Sequence, residues 1–600
     1  MHLCFVLSPS HEPLGDPNTE RITGRNWMLE IFRSPKSGPW YPHLAEKTDE
    51  DSYRFFAGRI AGVVPSRELP AQHAVALGDA RQWDFPGGEP DGNWLALKFD
   101  RRKDCLSIAS DLCILQRWFY TQIGSRWCVS NSLVHLHHVL GGALDLEQRA
   151  VPYIVLFSHL PWQYTPLKDV FSLLSGEVLV VEAGRGELVP RAELPLVRPA
   201  DGADTPPMSE AEAAAVADQV LAQVREAVAR ELEHVPSVIL PLSGGMDSRF
   251  LLGCALECLP REAITAVTFG LPASLDLRLG TALARDLRLP HRTLPADRRS
   301  YPELLTDGFR PAEGIYWAVP TYPSQPLREA LAPGTLVLSG YLGESVSGSF
   351  DLSRPELAAS DQSERRLFEI AVGMTLRADF GEVVPLLTDP QWDLLGYEES
   401  LRRLAGTFEE RYDRWLWANY LLNCGNFELM LHRDRAFYLT PYVHPTFMRF
   451  CYRLPRTLRQ RQQVFFTAMK RGFPDLYRFP TKRNFGFPLE SPRLPVLLAR
   501  AGRKLRSSLD DALWRATGRF AYPHPYLNYV DPREISLPEH RAAILGCLEE
   551  LDHLSVFNPR ALSQLRDRYR RRGTVNPHLL WGLLTVHQWL IHYRRTPRTA

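Results

Sequence analysis

The chain has 600 residues, too many for one hydrophobic core, so its length predicts two or more domains. With 45% hydrophobic and 23% charged residues it has the composition of an ordinary soluble protein, and a formal net charge of +1 leaves no global field to draw in nucleic acid or an anionic membrane. No run of about 18 apolar residues occurs, which excludes a membrane-spanning helix.

The opening stretch, MHLCFVLSPS, has no basic n-region and turns polar at Ser8, so it does not read as a signal peptide. From there to about Leu196 the pattern favours strands. Leu95–Asp100 (LALKFD) alternates apolar and polar residues, and Leu106–Asp111 and Trp127–Ser132 follow, separated by turn residues as in an antiparallel, hairpin-rich layer. The histidine run His135–His138 has no partner ligands in the sequence and is not read as a metal site. Val151–Leu160 is mostly apolar, and Val170–Leu188 reads as two strands around Gly176. Arg198–Pro207 holds Pro, Gly, Asp and Ala without periodicity, as a linker does. Ser209 followed by Glu212 is a capping box, and Val216, Val220, Val224 and Val228 then form one apolar stripe on a long helix.

From Val235 strands and helices alternate. Val238–Leu242, Ile264–Gly270, His291–Pro295 and Thr335–Gly340 read as strands, with helices at Phe250–Leu259 and Leu277–Leu289. That alternation predicts a parallel sheet with helices on its faces. The remainder reads as mostly helical, and its basic run Arg566–Arg572 is either a solvated helix face or a site for an acidic partner. The nine cysteines show no CxxC pair and no zinc spacing, which fits reduced thiols in the cytoplasm. Cys254 and Cys258, four apart on a predicted helix, read as small hydrophobes.

The chemistry is concentrated in VILPLSGGMDSRFLL (Val238–Leu252). A buried strand runs through Ser-Gly-Gly into a helix. At the carboxyl end of a parallel sheet such a turn aims backbone N–H groups and the helix dipole at an anion. Gly244 and Gly245 let a phosphate approach the backbone, and Ser243 and Ser248 offer hydroxyls. Asp247 would repel a bare phosphate, so its presence points to a magnesium ion between carboxylate and phosphates. No GxxxxGK[ST] pattern occurs, so this is not a Walker A loop.

LSGGMDS (Leu242–Ser248) resembles the loop of N-type ATP pyrophosphatases, and the whole chain resembles the asparagine synthetase-like enzymes. DGNWLALKFD, IASD, WCVSNS and FSLLSGEVLVV are similar to that family's N-terminal layer; TFGLPASLDLRLGTALARDL (Thr268–Leu287), LSGYLGESVSG (Leu338–Gly348), PYVHPTFMRFCYRLP and TKRNFGFP (Thr481–Pro488) are similar to its synthetase domain. The resemblance implies an α/β protein. Residues 1–197 would form an Ntn-hydrolase-like β-rich sandwich, 198–208 a linker, and 209–600 a parallel-sheet ATP pyrophosphatase domain with a helical C-terminal part. It further implies that Leu242, Ser243, Gly244, Gly245, Asp247, Ser248, Phe269, Ser339 and Gly340 bind ATP, with the adenine near Phe269. Asp247 and Glu344 would hold Mg2+, and Lys482 would face the reaction centre.

Departures from the family pattern narrow this reading. Glutamine-dependent members expose a cysteine directly after the initiator Met; here that position is His2, and Cys4 reads as a buried strand residue, so glutaminase activity is not expected. Tyr341 stands where β-lactam synthetases carry a tyrosine that, paired with a glutamate, deprotonates a substrate amine; its other reading is a packing aromatic. Glu382 has suitable spacing for the partner, with Glu364 and Glu369 competing. His444 replaces a family aspartate and reads as structural. An amine already on the substrate, attacking within one molecule, suits these features. The resemblance then points to a lasso peptide cyclase acting on a ribosomal precursor peptide with a free N-terminus, alongside a leader peptidase and a leader-binding protein, with no nucleic acid or membrane partner. A β-lactam synthetase, an ammonia-dependent amidase of the same fold and a nucleotide-binding pseudoenzyme are the alternatives.

Overall fold

The computed structural model describes residues 2–10, 12, 14, 19–33, 44–61, 89–198, 209–296, 309, 312–317, 324–353, 356, 361–425, 427–519, 533, 535, 537–572 and 575–593. Among these residues twelve strands precede the first long helix: β1 (Leu3–Pro9), β2 (Glu20–Thr23), β3 (Trp27–Arg33), β4 (Leu44–Thr48), β5 (Ser52–Ile60), β6 (Gly92–Asp100), β7 (Cys105–Ser110), β8 (Phe119–Ile123), β9 (Arg126–Ser130), β10 (Phe171–Ser172), β11 (Glu177–Glu182) and β12 (Arg185–Pro190). They form two six-stranded sheets, in the orders β10-β8-β9-β1-β3-β2 and β12-β11-β7-β6-β5-β4. Alternation decides how they pack. Leu3, Phe5 and Leu7 of β1 face Phe55, Leu97 and Ile108 of the second sheet in one buried core. Cys4 and Val6 point the other way, towards Leu133 and Leu136 of helix α1 (Leu133–Val139).

The stretch Val151–Leu160 becomes helix α2 (Val151–Phe157), whose seven residues are all buried. The expected pair of strands around Gly176 is instead a two-residue strand, β10, and a complete hairpin, β11–β12. The hairpin turns at Ala183-Gly184, both with positive φ, as a two-residue loop with the twist of its strands requires. Most of the expected linker, 199–208, lies outside the described residues. Its first residue, Arg198, is not free chain: it is buried and paired with Asp351 and Asp413.

Helix α3 (Glu210–Leu232) starts with the expected capping box, Ser209 accepting from the Glu212 N–H. Val220, Val224 and Val228 are buried along its inner stripe, and Val216 packs at the edge. The second sheet system then unfolds as β13 (Val238–Pro241), α4 (Asp247–Cys258), β14 (Ile264–Gly270), α5 (Leu275–Asp286), β15 (His291–Pro295), β16 (Thr335–Leu338) and β17 (Ala436–Leu439). All four pairings are parallel, in the order β15-β14-β13-β16-β17. Chain direction across the sheet therefore reverses between β13 and β16, which is where open parallel sheets leave a crevice for ligand. β17 was not foreseen, because four apolar residues between charged and polar neighbours carry no period to read. α4 begins at Asp247 rather than Phe250, so the phosphate-loop aspartate is already helical.

The rest is helical and includes α6 (Phe380–Val383), α7 (Arg493–Thr517) and α8 (Pro577–His592). α8 crosses α2 so closely that a Cβ on Gly582 would meet the Val155 Cα at 2.6 Å. In the basic run, Arg566 pairs with Asp552 and Arg570 with Asp567. Among the described residues no helix is long and apolar enough to cross a membrane.

Candidate active site

The loops after β13 and β16 flank a cavity of about 680 Å³ at the carboxyl end of the parallel sheet. Of the residues expected there from sequence, Leu242, Ser243, Gly245, Asp247, Ser248, Phe269, Ser339, Gly340, Tyr341, Glu344 and Lys482 line it. Gly244 lies behind this surface, because Lys482 packs over it: a Cβ at Gly244 would sit 3.3 Å from the Lys482 Cβ and 3.1 Å from Leu279.

The two glycine N–H groups do not face the cavity as free donors. Gly244 donates to Asp276 Oδ1 at 2.8 Å and Gly245 to Ser243 Oγ at 3.1 Å. The Ser243 and Ser248 hydroxyls lie 3.3 Å apart. The loop is thus held shut by its own polar groups, and an anion in the cavity meets the α4 N-terminus and cationic side chains instead. The Gly244 carbonyl accepts from the Lys482 N–H, the Thr481 hydroxyl and the fully buried Arg249. Arg249 also holds the carbonyls of Phe479 and Pro480. This one guanidinium therefore ties the phosphate-type loop to the distant segment that carries Lys482.

Lys482 Nζ donates to Asp276 Oδ2 at 2.9 Å. Asp276 consequently bridges the glycine loop and the lysine, a role that sequence reading missed. Its only signal was a Ser-x-Asp at a helix start, with Ser274 as N-cap of α5. Gln462, Arg483 and Arg503 also line the cavity and were not foreseen. Arg483 donates to Gln462 Oε1 at 2.7 Å and stacks over Phe466. Gln462 sits in a left-handed backbone conformation, φ +63°, that no sequence pattern announced.

Asp247 and Glu344 come together on the same wall. Withdrawal from solvent and the neighbouring Glu344 charge push the Asp247 carboxyl up to about 7, against the pull of Lys482 and Arg483. Two carboxylates side by side, facing a cavity ringed by Lys482, Arg483 and Arg503, fit a divalent cation together with a polyphosphate. The residues present therefore suit magnesium and ATP.

Tyr341 lines the cavity with its hydroxyl buried and without a hydrogen-bond partner among the described residues. Burial holds that hydroxyl well above its ordinary pKa; Cys113 and Asp111 add to the effect and Arg117 opposes it. Glu382 is not its partner. Phe380 stacks edge-on against Phe157, α6 lies on α2, and Glu382 Oε2 accepts from Asn576 Nδ2 at 2.6 Å, outside the cavity. Glu364 pairs with Arg402 and Arg411, and Glu369 with Arg365 and Arg366, so neither competitor reaches it either.

A second cavity, about 300 Å³, shares Leu342, Glu344 and Gly425 with the first. Tyr316, Trp317, Phe350, Tyr420 and Trp581 wall it, and Arg377 lines it too. The Arg377 guanidinium donates to the Met374 carbonyl and the Tyr420 hydroxyl and pairs with no carboxylate of the described residues. Glu344 is the carboxylate common to both cavities.

On the first domain, Cys4 is buried inside β1 with its thiol pushed well above the usual value by burial. The space beside His2, walled by Leu115, Gln116, Arg117, Asn131 and Arg433, measures about 20 Å³. His444 donates through Nε2 to Glu231 Oε1 at 2.8 Å, anchoring the β17 end to α3. Of the His135–His138 run, His135 and His137 are buried in α1, and one His135 ring nitrogen meets the Phe32 carbonyl.

A family model described as asparagine synthase matches residues 219–591. No curated protein gives a match. Among solved structures, the chain is matched to glutamine phosphoribosylpyrophosphate amidotransferase from B. subtilis complexed with ADP and GMP, at 10% identity over 57% of this chain and 71% of that one, with a TM-score of 0.17. A second match, described as the allosteric regulatory enzyme of purine biosynthesis, has 10% identity over 49% of this chain and 74% of that one, with a TM-score of 0.19.

Proposed function

This chain belongs to the asparagine synthase family and is an ATP-dependent, AMP-forming carbon–nitrogen ligase, and from that premise we propose that it joins a carboxylate to an amine of the same substrate. The finer reading is macrolactam closure in a peptide, between the N-terminal amine and an Asp or Glu side chain, as in lasso peptide cyclases.

The observation that carries this reading is the second cavity. It opens off the nucleotide cavity beside Glu344 and is walled by five aromatic side chains. A site for aspartate or ammonia needs no such surface, whereas a peptide brings apolar side chains to bury there. Arg377, which pairs with no carboxylate of the described residues, lines this second cavity and not the first, so it suits a substrate anion other than the acid being activated. The space beside His2 has room for about one water, which supports an amine carried by the substrate rather than released from glutamine.

ATP is a substrate here. The acid oxygen attacks the α-phosphorus and pyrophosphate leaves; the amine then attacks the acyl carbon, AMP leaves and a proton is lost. Asp247 and Glu344 would hold magnesium, which would supply charge neutralisation at the phosphates. Lys482, fixed by Asp276, is placed to stabilise negative charge as it builds on the transferring group. Holding both reacting ends on one molecule replaces a bimolecular encounter.

The test incubates the purified chain with ATP, magnesium and linear peptides that have a free N-terminal amine and an internal Asp or Glu. Release of AMP together with a peptide lighter by one water is the expected result. Conversion of an acid to a carboxamide only when ammonia is added would mark an amidase instead, and a four-membered ring product a β-lactam synthetase. ADP as the nucleotide product would overturn the reading. Lys482→Met should lower AMP release by about 10²–10³-fold, the usual cost of one preorganised donor.

A further inference from the structure

Helix α7 is the longest in the described chain and one of the least covered. Of its 25 residues only Asp510 is buried. Large exposed hydrophobic side chains elsewhere occur singly, as on any protein surface. On α7 there are six of the ten among the described residues: Leu494, Leu497, Leu498, Leu505, Leu509 and Leu513, each 41–67% exposed. At about 100° per residue these leucines, with Ala501 and Ala512, share one stripe. Val496, Ser507, Asp510 and Trp514 lie on the opposite side and are half-buried or buried against the protein. The helix is therefore mounted with its apolar face outward, the reverse of an ordinary surface helix.

Charge is arranged around that stripe. Arg493, Arg500, Lys504 and Arg515 run along one edge and Arg506 stands on the other. The two acids of the helix are withdrawn to Arg533, Asp510 at 3.9 Å and Asp511 at 3.4 Å. The near-neutral net charge of the chain thus hides a local basic, leucine-faced rod about 37 Å long. A second copy of the chain is a poor occupant, because a two-fold contact between identical stripes would set the same basic edges against each other. An anionic bilayer surface satisfies both features at once: leucines enter the headgroup–acyl boundary and the arginines and lysine meet lipid phosphates.

We propose that α7 seats the enzyme on anionic membrane surfaces. This revises the expectation, drawn from net charge alone, that no membrane is a partner. On its inner side Arg503 lines the nucleotide cavity and stacks on Phe485, so seating would bring the rim of that cavity to the bilayer.

The test is flotation of the full chain with vesicles of phosphatidylcholine alone or of phosphatidylcholine with phosphatidylglycerol. The chain should float with the anionic vesicles only, and raised salt should release it. Leu498→Glu with Leu505→Glu should abolish flotation. Arg500→Gln with Lys504→Gln should weaken it by about fivefold per residue while the leucine face stays intact. Circular dichroism of both variants checks that α7 remains folded, and Leu505→Ser gives a milder lesion if the double variant misfolds. Failure to float with either vesicle, equal binding to neutral vesicles, or a soluble dimer that the leucine variants dissociate would each overturn the proposal.

Discussion

Tyr341 carries a hydroxyl that is buried, borders the first cavity and has no hydrogen-bond partner among the described residues. An unsatisfied buried hydroxyl costs about 1–3 kcal/mol, so the fold keeps it at a loss. The group is also held protonated by burial, so it serves as a hydrogen-bond donor at neutral pH and not as a free phenolate base. Tyr341→Phe should therefore raise or preserve the urea midpoint while slowing amide closure more than AMP formation. A clear loss of stability would mean that the hydroxyl has a protein partner after all. Glu382→Gln is the matched control. Its carboxylate accepts from Asn576, outside the cavity, so turnover should stay within about twofold, the spread of substitutions away from a functional site. The carboxylate at the junction of the two cavities is Glu344, three residues beyond Tyr341.

At the scale of elements, the glycine loop is positioned by how closely α5 approaches it. A Cβ on Gly280 would come within 2.5 Å of the Leu242 carbonyl oxygen and 2.8 Å of Thr268 Oγ1. The Leu242 carbonyl cannot yield without moving the strand end that feeds the loop. Gly280→Ala should cost about 1–3 kcal/mol of overpacking, read as a lower denaturation midpoint, with AMP formation lowered alongside it. A variant with wild-type stability and activity would show that α5 can retreat freely. The strand–loop–helix unit was legible because its signals are local: an apolar run, two glycines and a carboxylate at a helix start. The capping box at Ser209 was legible for the same reason. Asp276, Gln462, Arg483 and Arg503 were not, since they reach the cavity from separate elements that only the folded topology assembles. The Glu382 expectation rested on spacing from Tyr341, and it failed because Phe380 and the rest of α6 pack on α2 and turn that carboxylate towards Asn576. The inverted polarity of α7 was written in the sequence as well, but its periodicity alone does not say which face meets the protein.

Across the whole molecule the two sheet systems share one continuous core, from Cys4 and Val6 through Leu133 and α2 to Val220, Val238 and α8. Polar groups lock the same seam: Arg117 donates to Asn423 Oδ1 at 2.9 Å, and Arg230 reaches Asp91. Two neutral histidines are built into this body. His159 follows α2, donates through Nδ1 to the Phe157 carbonyl at 2.8 Å and lies edge-on to Tyr420. His432 meets the Ser324 carbonyl with Nε2, leaving Nδ1 to accept from the Tyr438 hydroxyl of β17. Burial pushes both down to about 4 from an ordinary value of 6.5. At these two rings the unfolded chain binds more protons than the folded one between those two values, so their contribution to stability falls as pH drops through that window and is fully present above it. Each histidine contributes roughly 3 kcal/mol to the total loss. Between pH 7 and pH 4 the urea midpoint of His432→Gln, which keeps polar contacts without a titrating ring, should drop less than that of the parent chain, by the share that this one ring contributes. Equal pH dependence in the variant and the parent chain would mean that this ring reaches water and protonates within the folded protein.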